Sequence, residues 1–341
     1  MKAAFQGPGR ALASLATIAI GAFLFVRMAD WLVFDAVWSI ATPADCRASS
    51  GACWPFLAAR FDILVHGYYP PASTWRVDLV FALVALAVVL LLWRSGRYRR
   101  AGAILSIIVL PLAGGVLLFG GILGLDPIPP SRFGGLMLTM LAALFAILTG
   151  LPLGIGLALM RNSGMPVLAG IATIWIEIWR GVPTVLALFL AITVFPLLVP
   201  VGLEIDKLLR ALLVFTVLIS ALFAEAVRGG LQSVGAGQKD AGHALGLSWW
   251  QTTRLITLPQ ALSVSMPAII NACIALIKET TLVLVVGLYD LFGVVQAAIT
   301  DPAWASGPVI ATGYAAAAFG FWIICFALSR LTRRFEVKVG R

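Results

Sequence analysis

Long apolar runs separated by short polar connections dominate this chain. A helix needs about 20 apolar residues to cross a bilayer, and eight runs approach or exceed that length. The run at 78–93 is slightly short, whereas the run at 167–199 is too long for one straight helix and contains Pro183, which predicts a kink or break. The eight runs are 12–36, 78–93, 102–123, 134–160, 167–199, 209–227, 262–288 and 307–330. The pattern predicts an all-α membrane protein with eight transmembrane helices.

Composition points to lipid as the main surroundings of the chain. Hydrophobic residues make up 61% of the 341 positions and charged residues only 11%, whereas soluble domains have about 25% charged residues. The net charge of +9 would suggest nucleic acid in a soluble protein. Here the charges lie in short connections, and no basic stripe with interleaved aromatic residues occurs. We therefore expect contact with membrane lipid and no binding of nucleic acid.

The distribution of lysine and arginine predicts the orientation of the chain in the membrane. With the N-terminus inside, fifteen of the 24 Lys and Arg residues fall in inner connections and six in outer ones. Inner connections of membrane proteins carry an excess of Lys and Arg. Both termini are therefore expected to be cytoplasmic, with the first apolar run retained as a signal-anchor helix.

Two cysteines lie in the outer connection at 37–77, which we expect to form a small structured cap or an interfacial helix. Cys46 and Cys53 are able to form a disulfide if this loop faces an oxidising compartment. The chain has two histidines, His66 and His243, which are far apart, and it has no Cys-x-x-Cys pair. No metal site is therefore predicted.

The inner connection at 228–261 is the longest on the cytoplasmic side and carries an ordered pattern. Residues 238–245 suit a short helix that Gly246 ends with a left-handed cap. Residues 248–257 suit a second short helix with Ser248 as its N-cap. The spacing predicts a helix–turn–helix hairpin, and such an element can seat in a groove on a partner and transmit its movement to a membrane helix.

This spacing resembles the EAA loop of ABC importer permeases, which reads Glu-Ala-Ala, three residues, Gly, nine residues and Ile-x-Leu-Pro. The chain departs from that motif at Asp240, which replaces Glu, and at Gly242, which replaces the second Ala. In the family, the loop carries the coupling helix that docks on the ATPase subunit. The resemblance implies that the coupling residues are Asp240, Ala241, Gly242, His243, Gly246, Leu258 and Pro259.

Further motifs are similar to those of polar amino-acid importer permeases. The matching positions are Glu177, Arg180, Gly181 and Pro183 before the loop, then Glu225, Arg228 and Gly229, and after it Lys278, Glu279, Thr280, Thr281 and Leu282. The Gly-Ala-Cys-Trp-Pro-Phe stretch at 51–56 resembles the N-terminal extension of general L-amino-acid importers, and most of all their M-type permease subunit. The resemblance implies an extension with three transmembrane helices and a periplasmic loop at 1–130, followed by a five-helix type I importer core at 131–341.

The resemblance also implies the partners of the chain. It would work in the bacterial inner membrane with an ABC ATPase dimer and a periplasmic binding protein that delivers L-amino acids. A related Q-type permease subunit would complete a heterodimer, with a homodimer as the alternative. The chain has no Gly-x-x-x-x-Gly-Lys-Ser/Thr phosphate loop. It is therefore expected to be a transport subunit and not an enzyme, with no cofactor of its own, because ATP and Mg would bind to the partner ATPase.

Polar residues in the seventh apolar run are candidates for contact with the substrate in the pore. Charged side chains in a bilayer usually face the protein interior or a water-filled path. Glu279 is a candidate acceptor for the ammonium group of an amino acid, with Asn271, Thr280 and Thr281 as candidate donors to its carboxylate. Lys278 is a further candidate. The alternative is that neighbouring helices or backbone groups hold both charges.

Two carboxylate–arginine pairs are candidates for structural or gating roles. Glu177 and Arg180 stand three residues apart, as do Glu225 and Arg228, so each pair can meet on one helical face. Structural ion pairing and gating both fit this spacing, and Pro183 joins the gating candidates through the break it predicts.

Two other classes of protein compete with the ABC permease as interpretations of the apolar runs. An ion-coupled secondary amino-acid carrier is the main alternative, but such carriers often show paired half-repeats with broken helices, and the break near Pro183 has no convincing counterpart. An intramembrane enzyme would need paired aspartates, a histidine-based metal motif or a Ser/His arrangement, and none is visible in the sequence.

Overall fold

The computed structural model describes residues 8–39, 42–93, 95–200, 202 and 205–339, which are almost entirely helical. The helices are α1 (Pro8–Ala29), α2 (Pro43–Ala48), α3 (Trp54–His66), α4 (Thr74–Leu92), α5 (Gly96–Ile104), α6 (Leu110–Phe119), α7 (Gly135–Arg161), α8 (Pro166–Gly181), α9 (Thr184–Phe189), α10 (Phe195–Leu198), α11 (Lys207–Ser233), α12 (Ala236–Ala244), α13 (Trp249–Thr252), α14 (Leu258–Glu279), α15 (Leu291–Ile299) and α16 (Gly307–Val339). Three of the fifteen Lys and Arg residues assigned to the predicted inner connections, Lys2, Arg94 and Arg341, lie outside the described residues.

Seven helices in the described part of the chain are long and apolar enough to cross a bilayer, and a bent pair brings the number to as many as eight. The seven are Gly9–Phe34, Pro71–Leu92, Gly96–Phe119, Gly135–Arg161, Lys207–Ser233, Trp249–Val286 and Gly307–Arg330. The slightly short apolar run at 78–93 belongs to a longer helix, which begins at Pro71. The all-α membrane fold predicted from the apolar runs is confirmed.

The bent pair lies where the sequence predicts a break. Pro166–Gly181 and Thr184–Leu198 meet at an angle of 101°. Pro183 has no backbone N–H to donate and cannot continue the helix, so α8 ends before it and α9 starts after it. Beyond the break, the chain passes through a π-helical turn at Leu190–Val194, the wider type with i→i+5 hydrogen bonds.

One compact unit comprises the described residues up to Asp62 together with Val295–Ala318. A disulfide joins Cys46 and Cys53, whose Cα atoms are 5.6 Å apart and whose side chains are fully buried. The Cys53 amide donates a 2.8 Å hydrogen bond to the Thr312 hydroxyl, and Arg60 pairs with Asp301. The described part of the outer loop up to Asp62 is therefore a structured cap fastened to the start of α16.

Helix α2 in this cap has a fixed start. The hydroxyl and the backbone amide of Thr42 both donate to the Asp45 carboxylate, at 2.8 and 2.7 Å. These bonds favour the charged carboxylate, so they hold the pKa of Asp45 below its usual value. The reciprocal contacts form a capping box, which satisfies amides that a helix start otherwise leaves unpaired.

The second unit comprises Ile63–Val294 and the chain from Phe319 onward. Its centre is the packing of α7, α11 and α14, where small residues let helices approach closely. A Cβ added at Gly154 of α7 would lie 2.7 Å from the Ser220 carbonyl oxygen of α11, and one added at Gly230 of α11 would lie 2.3 Å from the Ala261 carbonyl oxygen of α14. These backbones are therefore almost in contact.

Replacing Gly154 by alanine should lower the free energy of unfolding by about 1–3 kcal/mol, because the new methyl group must push two backbones apart. Gly156→Ala is the matched control on the same helix, since a Cβ there meets nothing within 4 Å. It should be neutral or stabilise by about 0.5–1 kcal/mol, because alanine is less flexible than glycine in the unfolded chain. Denaturant titration in detergent measures both, and equal losses would contradict the close crossing.

Candidate functional site

The connection at 228–261 forms the helical hairpin that its sequence predicts. Helix α12 ends in a cap in which the Leu247 amide donates to the Gly242 carbonyl at 3.1 Å and the Gly246 amide donates to the His243 carbonyl at 2.9 Å. Gly246 takes the left-handed conformation, with φ of +76°. Ser248 then caps α13 in a reciprocal pair with Gln251. Both ends of the turn are thus fixed by local hydrogen bonds.

The second half of the hairpin departs from the expected separate helix at 248–257. Helix α13 is only four residues long and passes through a π-helical turn, Thr253–Thr257, directly into α14. Pro259 therefore lies near the start of α14. The π turn is wider than an α turn and accommodates a residue that lacks an amide donor. One continuous helix runs from the hairpin into the membrane.

Gly242 packs against the other arm of the hairpin. It is buried, and a Cβ added there would lie 2.9 Å from two side-chain atoms of Thr252 and 3.1 Å from the Ile256 Cδ1. The glycine that departs from the EAA pattern therefore fits the bulk of Thr252 opposite it. Glycine is less favourable than alanine in a helix by about 1 kcal/mol. At Gly242 its small size allows the two arms of the hairpin to pack closely.

The outer surface of the hairpin exposes large apolar side chains on an otherwise polar segment. Leu245 is 79% exposed, Leu255 is 63% exposed, and Trp249 and Trp250 are about half exposed. Asp240, Ala241 and His243 are also exposed on α12. Exposed apolar groups rimmed by polar ones mark surfaces that contact another protein or a membrane. We name Leu245, Trp249, Trp250 and Leu255 the docking surface.

A small cavity of about 70 Å³, with both polar and apolar walls, lies between the hairpin and the ends of α7 and α11. Asn162, Lys239 and His243 contribute to its walls, together with three threonines. The Thr252 hydroxyl is buried there without a hydrogen-bond partner. Since a water occupies about 30 Å³ in the liquid, the cavity has room for one or two waters that would satisfy such a group. The hairpin thus rests on the membrane helices partly through a polar, hydratable contact.

The break at Pro183 lies beside one of the candidate substrate residues. The Thr184 hydroxyl, at the start of α9, donates a 3.1 Å hydrogen bond to the Glu279 carboxylate. Glu279 is the last residue of α14, and the chain tightens into a 3₁₀ helix immediately after it. Irregular backbone at membrane depth is tolerated only where protein or a water-filled cavity surrounds it. Thr184 was not singled out from the sequence, because its partner lies 95 residues away.

The structure separates the other candidates of the seventh run by exposure. Asn271 and Lys278 are exposed and, seven residues apart, lie on one face of α14. Thr280 is fully buried and donates its hydroxyl to the Ile277 carbonyl at 2.8 Å, and Thr281 donates to the Lys278 carbonyl at the same distance. The hydroxyl protons of Thr280 and Thr281 are therefore already donated to the backbone. The side-chain amide of Asn271 and the ammonium group of Lys278 are exposed and can meet a ligand or a neighbouring helix.

The two carboxylate–arginine pairs join into one cluster at the ends of α7, α8 and α11. Glu225 accepts a 2.8 Å hydrogen bond from Arg228 and a 2.5 Å one from Arg161. Arg161 also reaches Glu177 at 3.3 Å, and Arg180 lies 4.0 Å from Glu177 and 3.9 Å from Glu225. Arg161 was not singled out from the sequence, because it simply ends an apolar run. It connects the two pairs at shorter distances than Arg180 does.

Comparison with known proteins gives related sequences over nearly the whole chain. Residues 150–341 match the family model described as binding-protein-dependent transport system inner membrane component. The inner membrane amino-acid ABC transporter permease protein YhdY of Escherichia coli K12 is 40% identical over 319 residues, covering 92% of this chain and 85% of that protein. BztC of Rhodobacter capsulatus, a glutamate/glutamine/aspartate/asparagine transport system permease protein, is 32% identical and covers 99% of this chain and 92% of its own length.

A solved structure is similar to part of the chain. The match is to the crystal structure of an amino acid ABC transporter with histidines, with a TM-score of 0.52 and 27% sequence identity. It covers 60% of this chain and 92% of the solved one.

Proposed function

This chain belongs to the family of binding-protein-dependent transport system inner membrane components, and on that basis we propose how it couples, what it carries and how it sits in the membrane. It is a multi-pass permease subunit of an amino-acid ABC importer of the inner membrane. It is a transport subunit and not an enzyme, because ATP hydrolysis in such importers is done by the partner ATPase.

The docking surface is the single observation that carries the proposed coupling mechanism. Four large apolar side chains stand exposed on a hairpin whose turn is fixed by caps at both ends. We assign this surface, with Asp240, Ala241 and His243 beside it, to a groove on a partner ATPase dimer that binds ATP and Mg. ATP binding closes the dimer, the hairpin moves with it, and the membrane helices switch from inward-facing to outward-facing. Hydrolysis resets them.

The proposed orientation places the hairpin, both termini and the charged cluster in the cytoplasm. The excess of lysine and arginine in the inner connections supports it. The disulfide of the cap supports it as well, since the cap would then lie in the oxidising periplasm. We divide the chain into an extension at 1–130 and a permease core at 131–341. A periplasmic binding protein would deliver substrate to the outer face, and a related Q-type permease subunit would complete a heterodimer.

The proposed substrate path passes the break at Pro183 and the end of α14. Glu279 supplies an acceptor for the substrate ammonium, and its bond to Thr184 holds it at the start of α9. Helix starts carry partial positive charge from free amides, so the start of α9 stabilises the Glu279 carboxylate beside it. Asn271 and Lys278 lie on the exposed face of the same α14 and extend the polar path along it. Thr280 and Thr281 shape the turn after Glu279, since they donate to their own backbone.

Replacing Glu279 by glutamine should lower the uptake of amino acids about tenfold, because a hydrogen bond to a charged group contributes about 1.5–3 kcal/mol and 1.4 kcal/mol is a factor of ten. Initial uptake rates of acidic, neutral and basic amino acids by the complete transporter in vesicles measure this. Thr184→Val is the matched control, because it removes the hydroxyl that holds the carboxylate but keeps the charge, and it should have a smaller effect. Unchanged uptake of all three classes would remove Glu279 from the path.

The charged cluster supports a gating role at the inner end of the core. Five charged residues join three helices: Arg161, Glu177, Arg180, Glu225 and Arg228. The chain bends at Pro183, directly after the two members of this cluster in α8, Glu177 and Arg180. We propose that the cluster holds the inner ends of α7, α8 and α11 together in one state of the cycle, with the break at Pro183 as the hinge. Uptake driven by an ion gradient, by this chain alone in liposomes, would instead support an ion-coupled carrier.

A further inference from the structure

A large apolar cavity lies within the spanning part of the second unit, away from the polar path. Its volume is about 400 Å³, and its walls come from α4, α6, the first half of α7 and the start of α11. Val80, Leu118, Leu141, Leu144 and Leu212 are typical of the lining side chains. This volume falls in the range of about 300–1,000 Å³ that is usual for small-ligand sites.

Two neighbouring glycines keep the cavity open. Gly114 and Gly115 of α6 both line it, and a Cβ added at either position meets no other atom within 4 Å. In contrast to Gly154 and Gly230, these glycines do not serve a close helix crossing. They face open space, so a side chain at either position would enter the cavity.

The walls of the cavity are almost entirely apolar. Its two polar lining residues, Thr149 and Asp206, already make hydrogen bonds to their own helices. Thr149 donates to the Phe145 carbonyl at 2.7 Å and meets the Thr216 hydroxyl at 2.8 Å, while Asp206 accepts from the amide of Leu208 at the start of α11. Cavities lined by apolar side chains take up apolar ligands. An empty cavity would deprive its lining of dispersion contacts.

The length of the cavity matches one leaflet of a bilayer. Its lining on α7 runs from Met137 to Thr149, which is about 18 Å of helix at 1.5 Å per residue. The hydrocarbon core is about 30 Å thick, so a lipid chain from one side reaches about 15 Å. A single acyl chain that enters from one side therefore extends along most of this lining.

We propose that this cavity is a binding site for one acyl chain of a phospholipid. The lining lies at the end of the bundle where α4 and α7 begin and α6 ends, which is the outer leaflet in the orientation proposed above. The acyl chain would lie between two helices of the extension, α4 and α6, and two helices of the core, α7 and α11. Lipid would then form part of the contact that fastens the extension to the core.

Native mass spectrometry after reconstitution tests the proposal. The full chain, with the subunits that accompany it, is reconstituted in vesicles of phosphatidylethanolamine and phosphatidylglycerol, extracted again in mild detergent, and weighed with its retained lipids. Wild type should keep one phospholipid per chain that Gly115→Phe loses, because the new ring occupies the cavity. Gly21→Phe is the matched control on α1, where a Cβ also meets nothing within 4 Å, and it should keep the lipid.

The masses distinguish a phospholipid from a free fatty acid or detergent, and either of the latter in wild type would overturn the proposal. Gly115→Phe should unfold at the same temperature as wild type or a higher one, since it fills a void. If it does not fold, Leu144→Phe on the opposite wall decides the question. Retention of the same lipid by a folded cavity-filling variant would show that the acyl chain binds elsewhere on the protein.

Discussion

Replacing Glu225 by glutamine should lower the free energy of unfolding by about 3 kcal/mol, because it removes the charge that balances the arginines at the ends of three helices. The Glu225 side chain is only 19% exposed and contacts Arg161 and Arg228 at hydrogen-bonding distance, with Arg180 nearby. A hydrogen bond to a charged group contributes about 1.5–3 kcal/mol, and Glu225 accepts such bonds from both Arg161 and Arg228. Denaturant titration of the purified protein in detergent measures the loss.

Glu177→Gln is the matched control within the same cluster. Its side chain is 56% exposed and its contacts with Arg161 and Arg180 are longer, at 3.3 and 4.0 Å. Exposed ion pairs contribute about 0–1 kcal/mol, so this variant should be almost as stable as wild type. Equal losses for the two variants would mean that Glu225 is not the centre of the cluster. If Glu225→Gln is fully stable yet transport is impaired, the cluster acts only in gating.

Replacing Gly246 by valine should reduce amino-acid uptake more than tenfold and release the ATPase during purification. Gly246 has a φ of +76°, a conformation that costs an ordinary residue about 1–2 kcal/mol and is a severe outlier for a β-branched one. The turn would change its conformation, and the docking surface would lose its shape. The membrane helices should fold as before, because the hairpin lies beyond them. Co-purification of the ATPase and substrate-stimulated ATP hydrolysis measure the coupling.

Gly237→Val separates this effect from a general loss of flexibility. Gly237 lies in α12 of the same hairpin, has an ordinary helical conformation, and offers open space to a side chain. It should keep the ATPase and transport normally. A Gly246→Val protein that couples as well as wild type would show that the capped turn is not required for docking.

The sequence predicts most of the fold because the bilayer imposes strong constraints on it. Each span appears as an apolar run, since lipid leaves no other partner for exposed side chains. The turn of the hairpin was also predictable, because Gly246 and Ser248 act through hydrogen bonds to residues close in sequence. The break at Pro183 follows from the chemistry of one residue.

The contacts that sequence reasoning missed join residues far apart in the chain. Arg161 meets Glu225 across 64 residues, and Thr184 meets Glu279 across 95. No local pattern encodes such pairs, since they depend on how whole helices pack. The close crossing at Gly154 did leave a signal, the Gly-x-x-x-Gly spacing with Gly150 that is common where membrane helices touch. The only sequence signal for the π turn at Thr253–Thr257 is Pro259, which follows it.

The continuous helix that begins in the hairpin has a mechanical consequence. It runs as one spanning helix from Trp249 through a π turn and α14, and Glu279 lies 30 residues along it, about 45 Å away at 1.5 Å per residue. A helix that tilts about its midpoint acts as a lever. A tilt of about 5° would move each end of it by about 2 Å in opposite directions. Force applied by a partner at one membrane surface would thus reach the polar path as displacement, without passing through a chain of loops.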